Sequence, residues 1–100
     1  MSIYLLSKSS KKDKKWQIIT PTGKKINFGA TGYEDYTIHK DKERMNRYVN
    51  RHSRRENWNK SGINTAGFWS RWILWNKPSL SASIKNTETR FKIKIRKTRV

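Results

Sequence analysis

One hundred residues carry 24 Lys and Arg against seven Asp and Glu, a formal net charge of +17, so the folded chain repels itself unless an acidic partner offsets that charge. The absence of cysteine excludes disulfides, thiol chemistry and Cys-based zinc sites, and the length restricts the chain to one small core. Five Trp among twelve aromatic residues exclude a purely disordered basic tail.

In chain order, the opening Ile3-Tyr4-Leu5-Leu6 run has no basic segment before it and is far too short to span a bilayer. An intracellular protein, neither secreted nor inserted in a membrane, is expected. Lys8, Lys11, Lys12, Lys14 and Lys15 then crowd around Asp13, which reads residues 1–14 as a flexible basic arm. A compact domain is expected over 15–89 and a basic strand or tail over 90–100.

Within the domain, Trp16 to Thr20, a turn at Pro21-Thr22-Gly23, and Lys24 to Phe28 predict a β-hairpin. Its alternation places Trp16 and Ile18 with Ile26 and Phe28 on one face. Gly29 and Gly32 close the strand and lead to a loop in which Tyr33, Glu34, Asp35 and Tyr36 cluster. From Ile38 to His52 the period becomes helical, with Ile38, Met45, Tyr48, Val49 and His52 on an apolar stripe and Thr37 or Asp41 as cap. Lys40, Arg44, Arg47, Arg51 and Arg55 fall on a second stripe, a basic ridge suited to a phosphate backbone.

A polar connector over 54–62 starts with Arg54 and Arg55 and carries one aromatic anchor, Trp58. Ile63 to Asn76 predicts a second helix, capped by Asn64 or Thr65 and apolar around most of its circumference. That makes it the buried centre of the domain or a partner surface, and Trp69, Trp72 and Trp75 read as core. Trp16 and Trp58 are the candidates for stacking on bases. The final alternation, Arg90 to Arg96, predicts a strand with Phe91, Ile93 and Ile95 on one side and cations including Lys92, Lys94 and Arg96 on the other. Thr98, Arg99 and Val100 are expected to fray.

The sequence holds no arrangement that specifies catalysis. Glu34, Asp35, Asp41 and Glu43 are the one local group of acids, and surrounding cations mark them as charge partners; a nuclease site from Asp35, Asp41 or Glu43 with Lys42 has no recognised spacing. His39 and His52 lie outside any metal-ligand motif, and the glycines form neither a Walker loop nor a dinucleotide fingerprint. No enzyme activity, cofactor or metal is expected.

Two blocks, Gly32 to Arg44 and Glu56 to Pro78, the latter running from Asn57-Trp58 to Trp75-Asn76-Lys77-Pro78, resemble a family of small basic proteins encoded by large nucleocytoplasmic DNA viruses of the phycodnavirus and mimivirus kind. The resemblance covers about residues 23 to 84. It implies a viral origin and a virion location, and brings no established activity or catalytic residue. Together these readings predict an α+β fold: a small antiparallel sheet, made of the hairpin with the C-terminal segment as a candidate further strand, packed on two helices. The expected function is a non-enzymatic virion component of the minor capsid or cementing type, bridging acidic surfaces of capsid or other virion proteins. The alternative is a sequence-nonspecific binder of the DNA or RNA backbone. The residues assigned to phosphate or partner contact are Lys40, Arg44, Arg47, Arg51, Arg54, Arg55, Lys92, Lys94 and Arg96.

Overall fold

The apolar run at the start of the chain belongs to the sheet. In the computed structural model, which describes residues 2–98, β1 (Ile3–Lys8) pairs antiparallel with β2 (Lys14–Ile19), and β2 pairs antiparallel with β3 (Lys25–Ala30). A fourth strand, β4 (Lys94–Lys97), joins β1 in parallel, giving the order β3-β2-β1-β4. The fold is therefore α+β, and its sheet is mixed rather than antiparallel. The reason lies in the connection: a long helical crossover returns the chain to the start of β1, so the last strand runs alongside it.

Residues 2–14 thus do not form an arm; Met1 lies outside the described residues. Tyr4 and Leu6 alternate into the core, Leu6 with no exposure at all, and the lysines that follow form the β1–β2 turn. Lys14 N–H donates to Lys11 O at 3.2 Å, and Ser9 N–H donates to Lys15 O at 3.2 Å. The β2–β3 turn is the expected one: Gly23 N–H donates to Thr20 O at 2.9 Å, with Gly23 at φ 92°, a conformation that costs glycine nothing.

Pairing sets Leu6 opposite Ile18, Ile18 opposite Ile26, Trp16 opposite Phe28 and Tyr4 opposite Ile95. Tyr4, Leu6, Ile18, Ile26, Phe28 and Ile95 are consequently buried on one face, with Trp16 half-buried at its margin.

The predicted helix over 38–52 is two helices. α1 (Tyr36–His39) ends at Lys40, which adopts a left-handed φ of 56°, and α2 (Lys42–His52) begins again after Asp41. Asp41 Oδ1 accepts from the N–H groups of Glu43 and Arg44, a local side-chain cap that competes with a continuous helix. The break turns Ile38 outward to 54% exposure, while Tyr48 stays buried.

A 3₁₀ turn at Lys60–Gly62 leads to α3 (Ala66–Trp69), capped by Thr65 and continuing directly into a π-helical turn, Ser70–Leu74. Trp75 N–H donates to Ser70 O at 3.1 Å, the wide spacing of that turn. Phe68, Trp69, Trp72, Ile73 and Leu74 are all buried, so this segment is the centre of the domain. Trp69 Nε1–H is satisfied by Ile63 O at 2.7 Å and Trp72 Nε1–H by Trp58 O at 3.0 Å.

α4 (Leu80–Phe91) has no counterpart among the predicted elements. Its inward face mixes Leu80, Ile84 and Phe91 with Ser83 and Thr87, the latter two fully buried, so the apolar stripe is broken by hydroxyls. Thr87 Oγ1–H has Trp72 O at 3.1 Å and Ser83 O at 2.8 Å as acceptors, and Ser83 Oγ accepts from Lys77 N–H at 3.0 Å. Lys92, left-handed at φ 55°, ends the helix, so the predicted strand over 90–96 is reduced to β4. Thr98 is held, not frayed, by its N–H to Leu6 O at 2.8 Å; Arg99 and Val100 lie outside the described residues. No helix among the described residues is long and apolar enough to cross a membrane.

Candidate polyanion-binding surface

The acidic residues are largely occupied within the fold. Asp35 caps α1 through Thr37 N–H at 2.9 Å and pairs with Lys15 Nζ at 2.7 Å; Asp41 caps α2; Glu88 accepts the Ile95 N–H of β4 at 2.8 Å. Glu34 lies 3.5 Å from Arg44 Nη1 across an exposed pair. Setting aside Arg99, Lys15 and Arg44 are the two Lys or Arg side chains with a carboxylate within 4.0 Å among the described residues. The remaining cations have no carboxylate partner within that distance among the described residues, although Lys24, Lys40 and Arg71 donate to backbone carbonyls.

Two adjoining depressions gather part of this charge. One, of about 540 Å³, is bordered by Lys8, Lys11, Lys12, Lys14 and Lys15, with Trp16 in its wall. The other, of about 570 Å³, runs between the end of β3 and α2 and is bordered by Lys14, Lys15, Arg44 and Arg51. They share Lys14, Lys15 and Asp35, so the β1–β2 turn and the arginine face of α2 form one tract. The second depression also contains Glu34 and Glu56, which leaves the lysine-lined one as the more positive of the two. Tyr33, 74% exposed, stands at the rim of the depression beside α2.

A stack of rings fixes α2 beside this tract. Tyr48 lies 4.4 Å from Trp75 with the rings nearly parallel at 3°, and 4.3 Å from His52; Trp75 continues to His39 at 5.4 Å. Burial, reinforced by the charge of Glu56, pushes the Tyr48 hydroxyl up to about 12. Burial and then Arg51 push His52 below its ordinary value, which favours the neutral ring in the stack.

The predicted contact residues are not all brought together. Arg44, Arg47 and Arg51 share α2, and Arg44 and Arg51 border the second depression. Lys40 leaves the ridge at the α1–α2 break, where its Nζ donates to Pro78 O and Thr37 O. Arg54 and Arg55 are exposed beyond the end of α2. Lys92 caps α4, while Lys94 and Arg96 are exposed on β4, the sheet edge opposite β3. The ridge and the C-terminal strand are therefore separate surfaces.

Neither proposed stacking residue is free. Trp16 packs against the core with Lys97 Nζ 5.8 Å from its centroid, and Trp58 is half-buried, 6.5 Å from Tyr48 and 5.5 Å from Arg71 Cζ. Sequence reading places Lys8 to Lys14 in a flexible arm, whereas the β1–β2 turn holds them beside Trp16 and next to the α2 arginines. Asp35, Asp41 and Glu43 do not converge, and no group of three or more metal-ligating side chains occurs among the described residues.

Residues 4–52, slightly less than half of the chain, match a family of unknown function (DUF5754). No curated protein and no solved structure matches the chain. The match includes the whole lysine-rich turn and α2, while the block from Glu56 to Pro78 lies beyond it.

Proposed function

We propose that the protein is a non-enzymatic binder of an extended polyanion, the sugar-phosphate backbone of a nucleic acid, held without regard to sequence. The observation that carries this reading is the junction of the lysine turn with Arg44 and Arg51 around Lys14 and Lys15. Cations side by side along a shallow tract match successive phosphates, and releasing the counterions of those phosphates drives association. Tyr33 at the rim supplies a ring on which an unpaired base stacks.

Fluorescence anisotropy with labelled single- and double-stranded oligonucleotides tests the reading. Lys12→Glu, Lys14→Glu and Arg51→Glu combined should weaken binding at least 100-fold at physiological salt, whereas Lys94→Glu with Arg96→Glu, at the far edge of the sheet, should weaken it far less. Equal losses from both sets would mean that bulk charge, rather than the tract, holds the nucleic acid.

A second reading has its own observation. Lys94 and Arg96 lie on the β4 edge of the sheet, while Arg44 and Arg51 lie on α2 beside β3 at the other edge, a division that suits a component bridging two acidic surfaces. This supports the virion role that the viral resemblance implies, a minor capsid or cementing protein located in the particle and inside the infected cell. Nuclease-resistant association with an acidic capsid protein is its test, and association that disappears with nuclease returns the assignment to nucleic acid.

A further inference from the structure

Away from the tract, one group of donors lacks an acceptor. Arg71, in the π-helical turn, is half-buried with its Cζ 4.5 Å from the centroid of Trp72 and 5.5 Å from that of Trp58. Arg90, in the last turn of α4, brings its Cζ to 4.5 Å from the same Trp72 ring. Arg71 Nη1–H donates to Trp75 O, yet Arg71 Nε–H and the Trp58 indole N–H are both buried without an acceptor among the described residues. Neither arginine has a carboxylate within 4.0 Å among those residues.

Such an arrangement is electrostatically incomplete. Burial, and next the charge of the exposed Arg90, push the Arg71 guanidinium below its ordinary range. The faces of Trp72 and Trp58 attract the cations, but an aromatic ring offers no lone pair to an in-plane N–H. An anion with several oxygens would supply both the counter-charge and the acceptors. Two guanidiniums favour a phosphate over a carboxylate, since its greater charge and additional oxygens allow forked bonds to both.

We propose that Arg71 and Arg90, flanked by the Trp58 indole N–H and seated on Trp72, form a phosphate site separate from the lysine-arginine tract. None of these four side chains borders either depression, so the site stands whether or not the tract binds nucleic acid. The phosphate belongs either to a free ion or monoester or to a diester of a nucleic-acid strand.

The test is a titration of the ¹⁵N-labelled full chain with inorganic phosphate, sodium chloride holding the ionic strength constant, read by the Trp58 indole N–H resonance and by Tm. A saturable shift of that resonance is expected, with a rise in Tm of about 7 °C at ten times the dissociation constant. Arg90→Gln, at an exposed side chain, should abolish the shift of the Trp58 resonance, while Arg44→Gln with Arg51→Gln should leave that shift intact. An undiminished response in Arg90→Gln, no saturable shift, or an equal response to acetate would overturn the site. Dimethyl phosphate separates the sources: a response to it supports a backbone diester, and a response to inorganic phosphate alone supports a free ion or monoester.

Discussion

Lys15 Nζ lies 2.7 Å from Asp35 Oδ2, and with the carboxylate side chain only 3% exposed this pair fastens β2 to the start of α1. The same carboxylate caps α1, so its removal loses a cap and leaves a poorly solvated ammonium without a partner. Asp35→Ala should lower stability by about 3 kcal/mol in urea unfolding, and Asp35→Asn, which keeps an acceptor for Thr37 N–H, by about half as much. Loss below about 0.5 kcal/mol in the alanine variant would show that the pair is not a fastening.

Two glycines should respond differently to alanine. A Cβ on Gly62 would overlap the carbonyl oxygen of Asn57, a backbone atom, whereas one on Gly67 would overlap the carboxylate end of Glu56, which can swing away. Gly62→Ala should cost about 2–3 kcal/mol and Gly67→Ala clearly less, with the latter recovering further when combined with Glu56→Ala. Calorimetric Tm values order the variants, and the reverse order contradicts the geometry.

Acid and alkali should weaken the ring stack from opposite sides. His52 is depressed in the folded state, so its stabilising contribution is complete above the unfolded value of about 6.5 and declines as pH falls through the folded value. Tyr48 is raised to about 12, so its contribution is complete below 10.0 and declines as pH rises towards 12. Unfolding free energy measured against pH should show His52→Gln flattening the acid limb and Tyr48→Phe flattening the alkaline limb. Limbs unchanged by those substitutions would remove the two groups from the linkage.

In the proposed binding mode, salt dependence reports how many phosphates the tract engages. With Lys8, Lys11, Lys12, Lys14 and Arg51 in contact, the logarithm of duplex affinity should fall with a slope of about −4.5 against the logarithm of salt, roughly 500-fold between 50 and 200 mM. Lys12→Gln with Lys14→Gln should reduce the steepness of that slope by about 2. A slope unchanged by these two substitutions would exclude both lysines from the interface.

The hairpin with its shared face of Trp16, Ile18, Ile26 and Phe28, the buried Trp-rich segment and the excess of positive charge were legible in the sequence, because each depends on local periodicity or on composition alone. Helix α4 was not, since Ser83 and Thr87 bury hydroxyls that only backbone carbonyls of the folded chain can satisfy. Nor was the arm's true nature: Ile3 to Lys8 becomes a strand because Ile18 stands opposite Leu6 and Ile95 opposite Tyr4, partners more than ten residues away.

Sequence by itself determined that this chain would have one small aromatic core and too few acids to neutralise its surface. Tertiary structure decided where that surface became a tract. The turn between β1 and β2 set Lys14 and Lys15 beside Arg44 and Arg51, and the break at Lys40 removed one cation from the ridge the periodicity had drawn. Charge accumulates along a chain whatever its shape, but the distance between two charges, on which a phosphate backbone depends, exists only after folding.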